Sequence, residues 1–246
     1  MAPKLLVGSA AVLVAAVGAF YLFPTRRNAT TMAYPTDPYV SMQYNMVNTH
    51  DTFKAAYKVI MPHLDNPPLD DLDNFLGYTR AWASCIVEHH DSEEESLFPF
   101  LSTKLDFSHE IEQHVPIERG LTEILAYIDA SRADLSTFDA KKLKSLMEAL
   151  AGPLFEHLDE EVENLAPERM KVFTEEELKQ AGKELMVWIR AHSQKYVTLP
   201  FMRSHTPPEL KEIWPPFPWF VKRVVVPWFL APKHAGYWKY APYDMQ

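Results

Sequence analysis

From Met46 onward the apolar residues recur at steps of three and four, the spacing that lines one face of an α-helix. The first stripe carries Met46, Phe53, Tyr57, Ile60 and Leu64, and "NPPLDD" ends it. A second runs from about Leu69 to Thr103 with Ala83, Val87, Leu97 and Leu101. A third runs from about Ser108 to Ser131 with Ile111, Leu121, Leu125 and Ile128. A fourth runs from about Phe138 to Leu165 with Met147, Leu150 and Leu154, and Gly152-Pro153 is expected to kink or restart it. Short connections between long amphipathic helices favour antiparallel neighbours. The pattern therefore predicts an all-α, up-down-up-down four-helix bundle over residues 41–168.

Residues 169–246 read as an additional C-terminal helix followed by an aromatic, proline-rich extension. Thr174 with Glu177 fits a capping box that opens a fifth helix, ending near His192. Beyond it, residues 200–246 hold nine of the 20 prolines and four of the six tryptophans, too aromatic for a low-complexity linker. An ordered wrap around the bundle is expected, and "WFVKRVVVPWFL" (Trp219 to Leu230) could instead rest on a membrane surface.

At the other end, the uncharged run Leu5 to Phe23 is long enough to cross most of a bilayer, and longer than the apolar core of a usual signal peptide. It predicts a single-pass membrane anchor over residues 1–23, with a signal segment as the alternative, a tether over 24–40, and a membrane localisation in an unassigned compartment.

Each of the four bundle stripes is interrupted by ionisable residues. The second reads Ala83–Val87–His90–Glu94–Leu97–Leu101, in steps of 4, 3, 4, 3 and 4. It places His90 and Glu94 inside, leaves His89 and Glu93 at the flank, and exposes Asp91, Ser92 and Glu95. The third stripe has His114 and Glu118, the fourth His157 and Glu161, and the first His50. Residues four apart stack one turn above each other, so one ion or a pair of ions can reach both. Burying this much charge is costly unless it is paired or holds a metal. The predicted metal ligands are His50, His90, Glu94, His114, Glu118, His157 and Glu161. Imidazole with carboxylate suits iron, and less well manganese or zinc. Seven ligands exceed one tetrahedral zinc site and fit two octahedral ions, with Glu94 and Glu161 bridging.

Composition narrows the alternatives. A net charge of -9 argues against a nucleic-acid partner. The single cysteine, Cys85, excludes an intrachain disulfide framework and any Cys-rich metal site. With 7 glycines and no phosphate-binding loop or nucleophile elbow, nucleotide and standard serine-hydrolase chemistry find no support. Tyr78 and Trp82 read as packing rather than as an electron path.

The ordered set "NTHDTF", "HHDSEEESLFPFL", "EQHVPIERGL" and "FEHLDEEVENLAP" resembles the hemerythrin-like family, or HHE cation-binding domains, and the whole chain is similar in style to fungal members. The resemblance covers about residues 40–168. It implies a four-helix bundle around a non-heme di-iron centre, held by His50, His90, Glu94, His114, His157 and Glu161, with O2 or another small diatomic or peroxide as ligand. Oxygen-carrying members have HxxxH on the third helix, where this chain has His114-xxx-Glu118. That departure argues against dedicated O2 transport and toward sensing or holding iron, or slow redox chemistry. A di-iron oxidoreductase acting on O2, peroxide or nitric oxide is the alternative, and a scaffold with a relic metal site is the third class.

Overall fold

The structure is a computed structural model and describes residues 33–246, in which every regular element is helical. Asp37 caps α1 (Pro38–Asp65), accepting from the Tyr39 N–H at 2.9 Å, with Pro38 at the position where a missing N–H costs nothing. The second predicted helix divides into α2 (Leu72–Ser92), a π-helical turn (Glu93–Leu97) and the short α3 (Phe98–Leu101). Next come α4 (Ser108–Ala133) and α5 (Ala140–Asn164), the latter capped by Asp139. Pro153 sits inside an unbroken α5, so the expected restart there does not occur. The short α6 (Pro167–Met170) leads to α7 (Glu175–His192), which opens on the reciprocal Thr174–Glu177 capping box.

α1 packs on α2 and α5, and α4 packs on α2 and α5, which closes a four-membered ring of long helices. Two apolar clusters fill it. The larger contains Phe53, Ile60, Trp82, Ile86, Ile117, Ile124, Met147 and Leu154. The smaller contains Met46, Leu97, Phe98, Leu101, Phe107 and Leu165. On every long helix the predicted histidine falls between the two: Met46, His50, Phe53 on α1; Ile86, His90, Leu97 along α2 and its π turn; Phe107, His114, Ile117 at α4; Leu154, His157, Leu165 at α5. The four polar interruptions therefore lie in one layer across the bundle.

The C-terminal extension belongs to the same body. Phe201, on α8 (Thr198–His205), is fully buried in the larger cluster. A Cβ on Gly77 would collide with the Tyr237 ring, so the tail lies directly on α2. Lys239 and the Tyr240 hydroxyl both bond Asp71, each at 3.0 Å.

The expected membrane localisation is not upheld. Among the described residues no helix is long and apolar enough to cross a membrane. The longest, α1, is interrupted by Asp51, Lys54, Lys58 and Asp65, each of which would be expensive in hydrocarbon. The anchor expected over residues 5–23 lies outside the described residues. The segment for which a membrane surface is the alternative, Trp219 to Leu230, is largely a π helix (Val221–Leu230), and a membrane partner finds no support among the described residues.

Candidate metal centre

Two sets of four donors converge in the polar layer. One is His90, Glu93, His114 and His157; the other is His50, His89, Glu93 and Glu161. Within each set the donor atoms lie within 4.8 Å of one another, and Glu93 belongs to both. His50, His90, Glu93, His114, His157 and Glu161 are each at most 1% exposed.

Five predicted residues are thus brought together: His50, His90, His114, His157 and Glu161. Glu94 and Glu118 are not, and His89 and Glu93 stand in the cluster instead. For Glu94 the reason is local. Pro99 lacks the N–H that would bond the Glu95 carbonyl, and its ring crowds that carbonyl. The backbone widens there, with the Phe98 N–H bonding Glu93 rather than Glu94. The wider turn lets Glu93 point inward while Leu97, Phe98 and Leu101 still reach the core. A proline four residues after an acidic run was the sequence signal for this slip. Glu118 lies on the exposed side of α4, where the carboxyl is raised, chiefly by desolvation and then by the nearby Glu94.

Three of the histidines are held as metal-binding histidines usually are, each by its second ring nitrogen. Nδ1 of His50 donates to the Leu158 carbonyl at 2.7 Å. Nδ1 of His114 donates to Glu94 at 2.7 Å, and Nδ1 of His157 donates to the Gln113 side-chain oxygen at 3.1 Å. The Gln113 amide nitrogen is itself donated to Glu160, which fixes its oxygen as the acceptor. These tautomers leave a lone pair on Nε2 of both His114 and His157. The two nitrogens nevertheless face each other at 3.0 Å. Two lone pairs cannot share a hydrogen bond, but both can point to a cation. The same conflict recurs where Nε2 of His50 meets a Glu161 oxygen at 3.3 Å.

The remaining donors have no hydrogen-bond partner among the described residues: both ring nitrogens of His90 and both oxygens of Glu93 and Glu161. Orphaned buried carboxylates are costly. A bound cation removes that cost, so the residues present fit a metal. Burial also sets their charge. Desolvation, then neighbouring histidines, push His89 and His90 well below the ordinary range, and desolvation brings His157 down to about 4. All three stay neutral at physiological pH, the form that ligates. Desolvation and the Glu161 charge push Glu93 well up. Desolvation also pushes Glu161 upward, but its contact with His50 and the fields of His50, His89 and His157 outweigh it and hold it low.

Apolar rings wall the layer. Phe53 lies 5.3 Å from the His89 ring, and Phe98 stacks on His114 at 5.6 Å. Cys85 is buried with a thiol raised by desolvation, which makes it a small core residue rather than a nucleophile.

A four-helix bundle with a buried layer of histidines and carboxylates defines a metal-binding helical protein. The Hemerythrin HHE cation binding domain matches residues 41–169, more than half of the chain, and the chain belongs to that family. A curated relative is the Dimeric xanthone biosynthesis cluster protein R11 of Cryptosporiopsis sp. (strain 8999). It is 28% identical over 224 residues, covering 84% of this chain and 80% of the relative. No solved structure matches the chain.

Proposed function

We propose that the chain holds a non-heme centre of two iron ions and binds O2 or a related small ligand there. In this reading His90, His114 and His157 would hold one ion, His50, His89 and Glu161 would hold the other, and Glu93 would serve both. The observation that carries it is the pair of donor sets sharing Glu93, a buried carboxylate whose oxygens find no hydrogen bond. A mixed imidazole and carboxylate set suits iron, with manganese and zinc as competitors. Iron, when bound, would supply reversible one-electron chemistry and affinity for O2, peroxide or nitric oxide.

The chain's own residues do the rest. Leu158, Glu94 and Gln113 fix the ring orientation of His50, His114 and His157. Phe53 and Phe98 keep water from the donors. The exposed Glu94 carboxylate links His114 to solvent. With four donors in each set and Glu93 counted twice, coordination is left open for a small ligand.

A second reading is an oxidoreductase acting on O2, peroxide or nitric oxide. Its support is the relative named for a dimeric xanthone biosynthesis cluster, because biosynthesis calls for turnover. Sensing or holding iron belongs with the first reading, since it needs the same ligands and no substrate.

The test is metal content and the optical spectrum of anaerobically purified protein before and after O2. About two irons per chain, with an O2-dependent charge-transfer band, support the proposal. A band that reverses when O2 is removed marks binding, and one that does not marks redox chemistry. Folded protein that takes up no iron sinks the di-iron reading and favours a relic site.

A further inference from the structure

Oxidisable side chains lead away from the metal donors along one face of α2. Tyr78, Trp82 and His89 are spaced by four and seven residues, one turn and two turns. Trp82 therefore lies about 10 Å along the axis from His89, and Tyr78 about 6 Å beyond it. Both aromatic rings are 0% exposed. The Trp82 indole donates to the Phe53 carbonyl at 3.1 Å, and the Phe53 ring lies 5.3 Å from His89. At the far end the Tyr78 ring lies 6.0 Å from Tyr240, which is half-buried at the surface.

Each phenol on this line has its own proton acceptor. The Tyr78 hydroxyl meets Nε2 of His205 at 2.7 Å, and both residues are buried. Nδ1 of His205 lies 2.8 Å from the Phe201 carbonyl, which makes Nδ1 the donor and leaves Nε2 to accept from Tyr78. The Tyr240 hydroxyl donates to Asp71 at 3.0 Å. Packing alone asks only for an acceptor at a buried phenol, and a backbone carbonyl serves that need. An imidazole adds a base that can take the proton when the phenol loses an electron.

We propose that Trp82, Tyr78 and Tyr240 form an outlet that carries oxidising equivalents from the metal centre to the surface, with Tyr78 made redox-active by His205. The inference rests on reading the donors as a redox metal centre. The oxidant is O2 or a peroxide taken up there. One electron leaves Tyr78 by way of Trp82 and reduces the oxidised centre by one. The Tyr78 O–H bond breaks, and its proton passes to Nε2 of His205, which becomes an imidazolium. Tyr240 then gives one electron to the Tyr78 radical and its proton to Asp71, while His205 returns the proton to Tyr78. A thiolate restores Tyr240 with one electron and leaves as a thiyl radical, and Asp71 gives back the proton. The outlet spares the histidine ligands when no substrate consumes the oxidising power.

The experiment uses the iron-loaded full chain, treated with hydrogen peroxide, freeze-quenched and examined by electron paramagnetic resonance. The expected result is an organic-radical signal that narrows when ring-deuterated tyrosine is incorporated. It should be lost or moved to tryptophan in Tyr78→Phe, and should decay at least about tenfold faster in His205→Gln. Peptide mass spectrometry supplies a second readout. Oxidation should shift from Tyr240 in the wild type to the ligand histidines in Tyr78→Phe. A tyrosine signal unchanged in Tyr78→Phe, or ligand oxidation equal in the two proteins, overturns the outlet while leaving the iron centre standing. Protein that binds no iron overturns both, and the metal content measured on the same sample tells the two failures apart.

Discussion

Replacing Glu93 by glutamine exchanges one oxygen for an amide in a side chain that is 1% exposed and belongs to both donor sets. The effect has opposite signs with and without metal. In the loaded protein the substitution removes the shared anionic ligand. Loss of a group one step further out typically weakens metal binding ~10–100-fold, so loss of Glu93 should cost at least ~100-fold, about 2.7 kcal/mol or more. In the metal-free protein the same carboxylate is buried with no hydrogen bond. Glutamine keeps a polar group there but removes its charge, the costliest part of the burial, which should return about 1–3 kcal/mol. For a body of this size that raises the metal-free Tm by roughly 2–10 °C. The gain should grow with pH. Burial holds the folded Glu93 pKa well above its ordinary 4.5, so the Glu93 contribution to metal-free stability falls as pH rises from that value through the folded one, and Glu93→Gln removes that contribution. Calorimetry of apo and loaded protein, with metal analysis, reads both signs. A variant with normal metal content and a lowered metal-free Tm refutes the assignment of Glu93. Loss of metal from Glu94→Gln matching that from Glu93→Gln restores the uninterrupted α-helical register.

Glu94→Ala should weaken metal binding ~10–100-fold without changing the number of ions bound, because it frees the His114 ring rather than removing a ligand; titration with a competing chelator checks this. Glu118→Gln should leave metal affinity within about twofold in the same titration, since its carboxyl is a surface group; a loss on the scale of Glu94→Ala would return it to the site. With the opposing Glu93 contribution removed, metal-free Glu93→Gln should lose stability as pH falls from 6.5 toward 4. His157 binds its proton near 4 when folded and near 6.5 when unfolded, so the unfolded chain gains protons first; a thermal melt series that is flat across this window contradicts its buried, neutral state. Gly77→Ala should cost about 1–3 kcal/mol by driving a Cβ into the Tyr237 ring, and limited proteolysis should then cut the tail faster.

The four helices and the level of the site were legible in the order of residues alone. An apolar stripe with period 3.6 specifies which face is buried, and a histidine on that stripe is buried with it. His50, His90, His114 and His157 were legible for that reason, as was the capping box at Thr174 and Glu177. Glu161 was legible because α5 keeps α-helical register from His157 onward, and residues four apart then share a face. The tertiary structure decided what regular periodicity cannot carry. Glu93 replaces Glu94 because the backbone near Pro99 takes an i to i+5 bond. A register change of one residue swings an adjacent side chain about 100° round the helix. His89 joins because α2 is buried across a face wide enough to place Ala81, Trp82, Ala83, Cys85 and Ile86 inside together. The ring tautomers depend on Leu158, Glu94 and Gln113, which reach those rings only when the helices pack. His205 meets Tyr78 across 127 positions of chain. Such a pairing has no local pattern, because only the docking of α8 on the bundle brings the two together.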